Sequence, residues 1–117
     1  MKEDKKYDLE ERTLSFAARI RDYVERLPGS ISSYEIGKQL MRAGGSVGAN
    51  YVEANEAVSK QDFIYRIKIS RKEAKESIYW LKLTQPSQAM EGEKKWLAQE
   101  ADELMRIFGS ILGNSKK

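Results

Sequence analysis

An all-α fold, an up-down-up-down antiparallel four-helix bundle, is what this sequence predicts, and three observations predict it. Four stretches of about 20 residues carry apolar side chains at three- and four-residue spacing, the period of one helix face. Turn-forming residues separate the stretches: Pro28-Gly29-Ser30, Ser59 and Pro86. The connections are short, which leaves consecutive helices no choice but to pack antiparallel. At 117 residues the chain suits one domain with one core, burying roughly two-thirds of its unfolded surface.

The first helix is expected over residues 8–27. Asp8 and Glu11 have the spacing of a capping box, residues 1–7 are charged and expected to fray, and Leu9, Thr13, Phe16, Ala17, Ile20, Val24 and Leu27 form the inward stripe. Pro28 cannot continue the amide ladder. The second helix is expected over 32–58, opened by Ser32 with Glu35, its stripe being Ile36, Leu40, Ala43, Val47, Tyr51, Ala54 and Val58. Gly44, Gly45 and Gly48 each cost a helix about 1 kcal/mol against alanine. Either another backbone approaches that surface closely, or the helix kinks near Gly44-Gly45.

Ser59 with Asp62 opens the third helix, 60–84, with Phe63, Ile67, Ser70, Ala74, Ile78 and Leu81 facing the core. Phe63–Ile69 alternates like a strand, but the SRKEAKES that follows holds the helical period. The fourth helix, 91–112, has the cleanest stripe: Leu97, Ala101, Leu104, Met105, Phe108, Ile111 and Leu112, with Gly113-Asn114 as terminators and a short basic tail after them.

Composition narrows the function. Without cysteine there is no disulfide, thiolate metal site or redox chemistry, and without histidine the commonest general base and transition-metal ligand are missing. The opening MKEDKKYDLEERTL has no apolar run of the signal-peptide kind, and no stretch approaches 18 apolar residues. A cytoplasmic, membrane-free protein is the expectation. Glu53, Glu56, Glu73 and Glu76 lack the Glu-x-x-His pattern of di-iron bundles, and neither Ser46 nor Ser70 beside Lys72 has a recognisable base and pocket. The chain therefore reads as a non-enzyme with no metal and no cofactor.

Charge is unevenly spread. Residues 60–82 hold seven basic side chains (Lys60, Arg66, Lys68, Arg71, Lys72, Lys75 and Lys82) against Asp62, Glu73 and Glu76, a net +4. At 100° per residue Lys68, Lys72 and Lys75 share one strip, with Arg71, Tyr65 and Tyr79 near it. Cations interleaved with aromatics suit phosphate contacts and base stacking, so RNA or DNA is one expected partner. The plainer alternative is a solvated face whose lysines pair with nearby acids. Ile69 and Trp80 lie on the side opposite Phe63 and Ala74, where a lone bundle would leave them in water, and a subunit interface accounts for them better. Arg42, Ser46, Asn50 and Glu53 share one edge of the second helix. They are expected to form a partly buried polar network, with Arg42 or Arg71 neutralising Glu53 or Glu73 and Asn50 spanning backbone groups.

The block Arg42-Ala43, Ser46-Val47-Gly48-Ala49-Asn50-Tyr51-Val52-Glu53-Ala54, then Ser59-Lys60-Gln61-Asp62-Phe63 and Ser70–Ser77 resembles the four helix bundle, or 23S rRNA intervening-sequence, protein family; Leu27-Pro28 and Glu100–Leu104 match more loosely. The chain departs from the family pattern at Gly44-Gly45. The resemblance implies a small bacterial protein that assembles as a ring-like homo-oligomer, typically a pentamer. It also points to a relative, the accessory protein of diversity-generating retroelements, which works with a reverse transcriptase and nucleic acid. The expectation is thus a non-enzymatic homopentamer contacting RNA or DNA through its third helix. The alternative is a structural adaptor whose basic strip meets a reverse transcriptase or another, acidic, protein.

Overall fold

The computed structural model describes residues 5–115, with side chains from Leu9 onward. Four helices follow one another, α1 (Lys5–Glu25), α2 (Ile31–Asn55), α3 (Lys60–Leu83) and α4 (Glu91–Ser115), with a single 3-10 turn at Gln88–Met90 leading into the last. They form an all-α antiparallel bundle, a flattened body 46 × 31 × 20 Å in which α3 is flanked by α2 and α4, and α1 closes against α2 and, less extensively, α4.

The stripes meet in one core. Phe16, Ile20, Leu40, Val47, Ile67, Ala74, Leu81, Leu97, Ala101, Leu104 and Phe108 are wholly buried there. Tyr23 joins them, outside the expected stripe, because its hydroxyl finds a buried partner: it donates to Thr84 Oγ1 at 2.6 Å, whose own proton goes to the Leu81 carbonyl. Burial holds the Tyr23 phenol above its ordinary pKa.

The helix ends differ from expectation for local reasons. α1 already runs at Lys5, so Asp8 lies within the helix and not at its start; Asp8's side chain, residues 1–4 and the last two residues of the basic tail fall outside the described residues. Ser30, not Ser32, caps α2: its extended backbone lets Oγ accept from the Ser33 amide at 3.0 Å. Ser59 caps α3 in the same way, accepting from the Asp62 amide at 3.0 Å. α2 stops at Asn55, which puts Val58 in the turn, 95% exposed, and not in the core. α4 continues through Gly113-Asn114 to Ser115, whose hydroxyl donates to the Ile111 carbonyl at 2.7 Å.

α2 runs unbroken across its glycines. A Cβ on Gly44 would stand 2.5 Å from Ile20 Cδ1, and one on Gly48 would stand 2.7 Å from Thr13 Oγ1 and 2.9 Å from Thr13 Cβ. These two glycines let α1 lie close on α2. Gly45 has nothing within 4 Å.

Candidate nucleic-acid interface

The inner side of α3 is narrow because small polar residues line it. Ser70 Oγ donates across to the Val47 carbonyl of α2 at 2.8 Å, and Ser77 Oγ to the Glu73 carbonyl at 2.8 Å. With Ile67, Ser70, Ala74, Ser77 and Leu81 buried, helical geometry sends the opposite arc to solvent. That arc holds Lys68, Arg71, Lys72, Lys75, Lys82, Tyr65 and Tyr79, all exposed. At 100° per residue they span about 120° of the helix, and Lys68 and Lys82 lie about 21 Å apart along its axis at 1.5 Å per residue.

What leaves this arc uncompensated is the direction its acids take. Glu73, 8% exposed, receives Arg42 Nη1 of α2 on both carboxylate oxygens at 3.3 Å. Arg42 Nη2 pairs with Glu76, which also accepts Trp80 Nε1 at 3.0 Å. Both carboxylates are thus turned toward α2. Among the described residues, no hydrogen bond or ion pair reaches Lys68, Arg71, Lys72, Lys75 or Lys82. Arg66 is the exception on this helix, donating to Asn50 Oδ1 at 3.0 Å.

The α3–α4 seam beside the arc is a shallow trough. Arg71 comes close to Gly109 of α4, where a Cβ would meet its Nε at 3.9 Å. One section of about 320 Å³ is lined by Lys68, Arg71, Lys72, Lys75 and Leu112. The next, about 580 Å³, brings Lys72, Lys75, Tyr79 and Lys82, with Glu76 among them, against Met105 and Asp102. Asp102 is engaged with Arg106 at 2.9 Å, and that bond holds the Arg106 guanidinium above its ordinary pKa.

The polar network on α2 forms in two pieces. One is Arg42–Glu73–Glu76–Trp80; the other is Asn50, whose Nδ2 donates to the Ser46 carbonyl at 2.9 Å while its Oδ1 accepts from Arg66. Arg42 chooses Glu73 over Glu53, which is exposed and has no ion-pair partner among the described residues. Ile69 and Trp80 are not left in water. Both are half-buried, and Trp80 packs on the core while meeting Tyr79 edge-on, centroids 5.1 Å apart and planes at 83°.

Two surfaces were not anticipated. On α1 and α2, Leu14 (71% exposed) and Val52 (43%) border Ala17, Gly45 and Ala49 in a groove of about 390 Å³. The signal for it was Leu14, a leucine lying off the α1 stripe. Along the α1–α4 seam, Arg12 binds Glu100 through two bonds of 2.8 Å and Glu103 through a third. Arg19 binds Glu93 at 2.6 and 2.9 Å and stacks on the Trp96 ring, 3.5 Å from its centroid. The bond to Arg19 holds the Glu93 carboxyl below the usual carboxylate range. Among the described residues there is no group of three or more acidic, histidine or cysteine side chains placed to hold a metal ion, and no helix long and apolar enough to cross a membrane.

Fold and surface together define a class: antiparallel four-helix bundles with a cationic third helix. Within it, the chain belongs to the 23S rRNA-intervening sequence protein family, whose model matches residues 5–110. It is similar to the crystal structure of a protein with unknown function from the S23 ribosomal protein family of Bacteroides thetaiotaomicron VPI-5482, which is 29% identical. That match has a TM-score of 0.80 and covers 94% of this chain and 99% of the other. No curated protein matches the chain.

Proposed function

We propose that the protein is a non-enzymatic, homo-oligomeric bundle that holds RNA or DNA by its phosphates along α3. The observation that carries this is the row Lys68, Arg71, Lys72, Lys75 and Lys82, exposed and unpaired while the two acids in the middle of its own helix are drawn to Arg42. The alternative of a solvated face that neutralises itself requires local partners, and Glu73 and Glu76 both pair with Arg42 and with none of these lysines.

Assembly fits the other face. Gly45 carries the cost of a helical glycine although a Cβ there would meet no described atom of a packed neighbour within 4 Å, and it lines the groove with Leu14 and Val52. A second copy approaching there would use the space, and a ring would repeat the α3 strip around its axis. Light scattering is expected to give a multiple of the 13.4 kDa subunit, and Leu14→Lys to reduce it; a monomer at micromolar concentration refutes assembly.

Fluorescence anisotropy with labelled RNA and DNA tests the binding. Each phosphate neutralised on a single strand contributes about −0.7 to the slope of log K against log salt, so four to five contacts give a slope near −3. Lys68→Glu/Lys72→Glu/Lys75→Glu is expected to abolish binding while the helical circular dichroism is kept. If the folded wild type binds neither RNA nor DNA at low salt, the proposal is wrong.

A further inference from the structure

Resting on the nucleic-acid reading above, we infer that the α3 strip takes single-stranded nucleic acid in preference to duplex. Its cations follow one another up the helix within an arc of about 80°: Lys68, Lys72, Lys75 and Lys82 step by about 6, 4.5 and 10.5 Å, and Tyr79 fills the longest gap. Tyr65 precedes Lys68 at the edge of the same arc. Both rings are open, Tyr65 58% exposed and Tyr79 59%.

These rings are useful to a single strand and idle against a duplex. Base faces in a duplex are already stacked, whereas a single strand can lay a base on each ring while its phosphates track the lysines. The Tyr79 ring is held in place beforehand: Trp80 meets it edge-on, and the Trp80 indole is itself fixed by its bond to Glu76. The Arg66 guanidinium stands 5.8 Å from the Tyr65 ring centroid. A ring already oriented loses less freedom on binding than one that must be ordered. Beside the arc, Met105 and Leu112 give the trough an apolar floor that an unstacked base or ribose can cover.

Duplex readout is denied by the architecture. A major groove about 12 Å wide admits one helix, but α3 has α2 against one side and α4 against the other, on a body 31 Å across its middle dimension. It cannot enter a groove deeply enough to touch base edges. A duplex is left with phosphate contacts alone, on a surface that curves away from a straight row.

The test compares one labelled 20-nucleotide strand, as RNA and as DNA, with the same sequence annealed to its complement, at fixed salt. The single strand is expected to bind at least tenfold more tightly. Tyr65→Ala/Tyr79→Ala should weaken single-strand binding by 10- to 100-fold and leave duplex affinity within twofold. Tyr65→Phe/Tyr79→Phe, which keeps the rings, should restore it, and this pair guards against a loss caused by misplacing Trp80. Equal affinity for strand and duplex, or alanine variants that weaken both alike, overturns this inference while leaving phosphate binding standing. Absence of binding to either form overturns both.

Discussion

Adding one methyl group to α2 at two neighbouring glycines should move stability in opposite directions. Gly45→Ala places its Cβ in open space, so the substitution only removes the helical cost of glycine and should stabilise the subunit by about 0.8–1 kcal/mol. Gly48→Ala gains the same helical term but drives its Cβ to 2.9 Å from Thr13 Cβ and 2.7 Å from Thr13 Oγ1. Thr13 cannot swing aside cheaply. Its hydroxyl donates to the Leu9 carbonyl at 2.8 Å and contacts the Glu10 carbonyl at 3.1 Å, and the residue is 1% exposed. α1 itself must back away, and overpacking of this kind costs about 2–3 kcal/mol. The net is a loss of about 1–2 kcal/mol, a gap of roughly 2–3 kcal/mol between the variants.

Urea titration followed by circular dichroism measures both, with m-values compared to confirm that the same surface is exposed on unfolding. In a thermal melt each kcal/mol corresponds to about 4 °C for a chain of this size. Light scattering on the same samples separates the fold from assembly: under the assembly proposed above, a methyl on the open flank of Gly45 should loosen contact with a second copy even as it firms the subunit. Gly48→Ala as stable as Gly45→Ala would refute the close α1–α2 approach. A destabilised Gly45→Ala monomer would refute the open flank.

The remaining predictions concern charge. Arg42→Met removes the guanidinium from nearly buried Glu73 and from Glu76. Because Arg42 is itself about half exposed, the cost should be about 1–2 kcal/mol, below that of breaking a fully buried pair; Glu73→Gln added to it should recover part of the loss in the same urea titration, and an unchanged midpoint for Arg42→Met would count against the pair. Glu93 has a pKa lowered chiefly by its bond to Arg19. Its contribution is therefore fully present above the ordinary carboxylate pKa of about 4.3 and is lost as pH falls through the lowered value. The urea midpoint should fall between pH 5 and pH 3 more gently in Arg19→Gln than in wild type; parallel curves would exclude this coupling.

Helix number, order and core stripes were legible because periodicity is a local property: Phe16, Ile20, Leu40, Val47, Ile67, Leu104 and Phe108 declare themselves by spacing alone. Tyr23 did not, because its burial depends on Thr84, 61 residues away. The α2 start was placed two residues late, at Ser32, because the turn after Pro28 and not residue type sets which serine is extended and caps. The arc of α3 was visible as a strip, yet whether it is self-neutralised depends on how α2 is rotated against it. That rotation aims Arg42 at Glu73 and leaves Glu53 outside, and no spacing rule contains it. The same rotation half-covers Ile69 and Trp80, which a single-helix projection had left in water.

The division between arginine and lysine gives the charge pattern a physical logic. A guanidinium presents a planar fork that matches a carboxylate, while an ammonium is a compact point charge on a flexible stem. Here Arg12, Arg19 and Arg42 cross from one helix to another and close on Glu100 and Glu103, Glu93, and Glu73 and Glu76 respectively. Each crossing consumes carboxylates in the seams between helices. Lysine predominates where nothing is crossed: Lys68, Lys72, Lys75 and Lys82 stand on the outer arc of α3 with no described partner. The bundle's own ion pairs thus remove acids from the surface around α3 and unmask its charge. Replacing Arg42 should then act on both levels at once, loosening the α2–α3 seam and leaving the charges of Glu73 and Glu76 free to act on the strip. Weaker polyanion binding by Arg42→Met, restored when Glu76→Gln is added, would show that the internal pairs set the external potential. Undiminished binding would show that the lysines act without them.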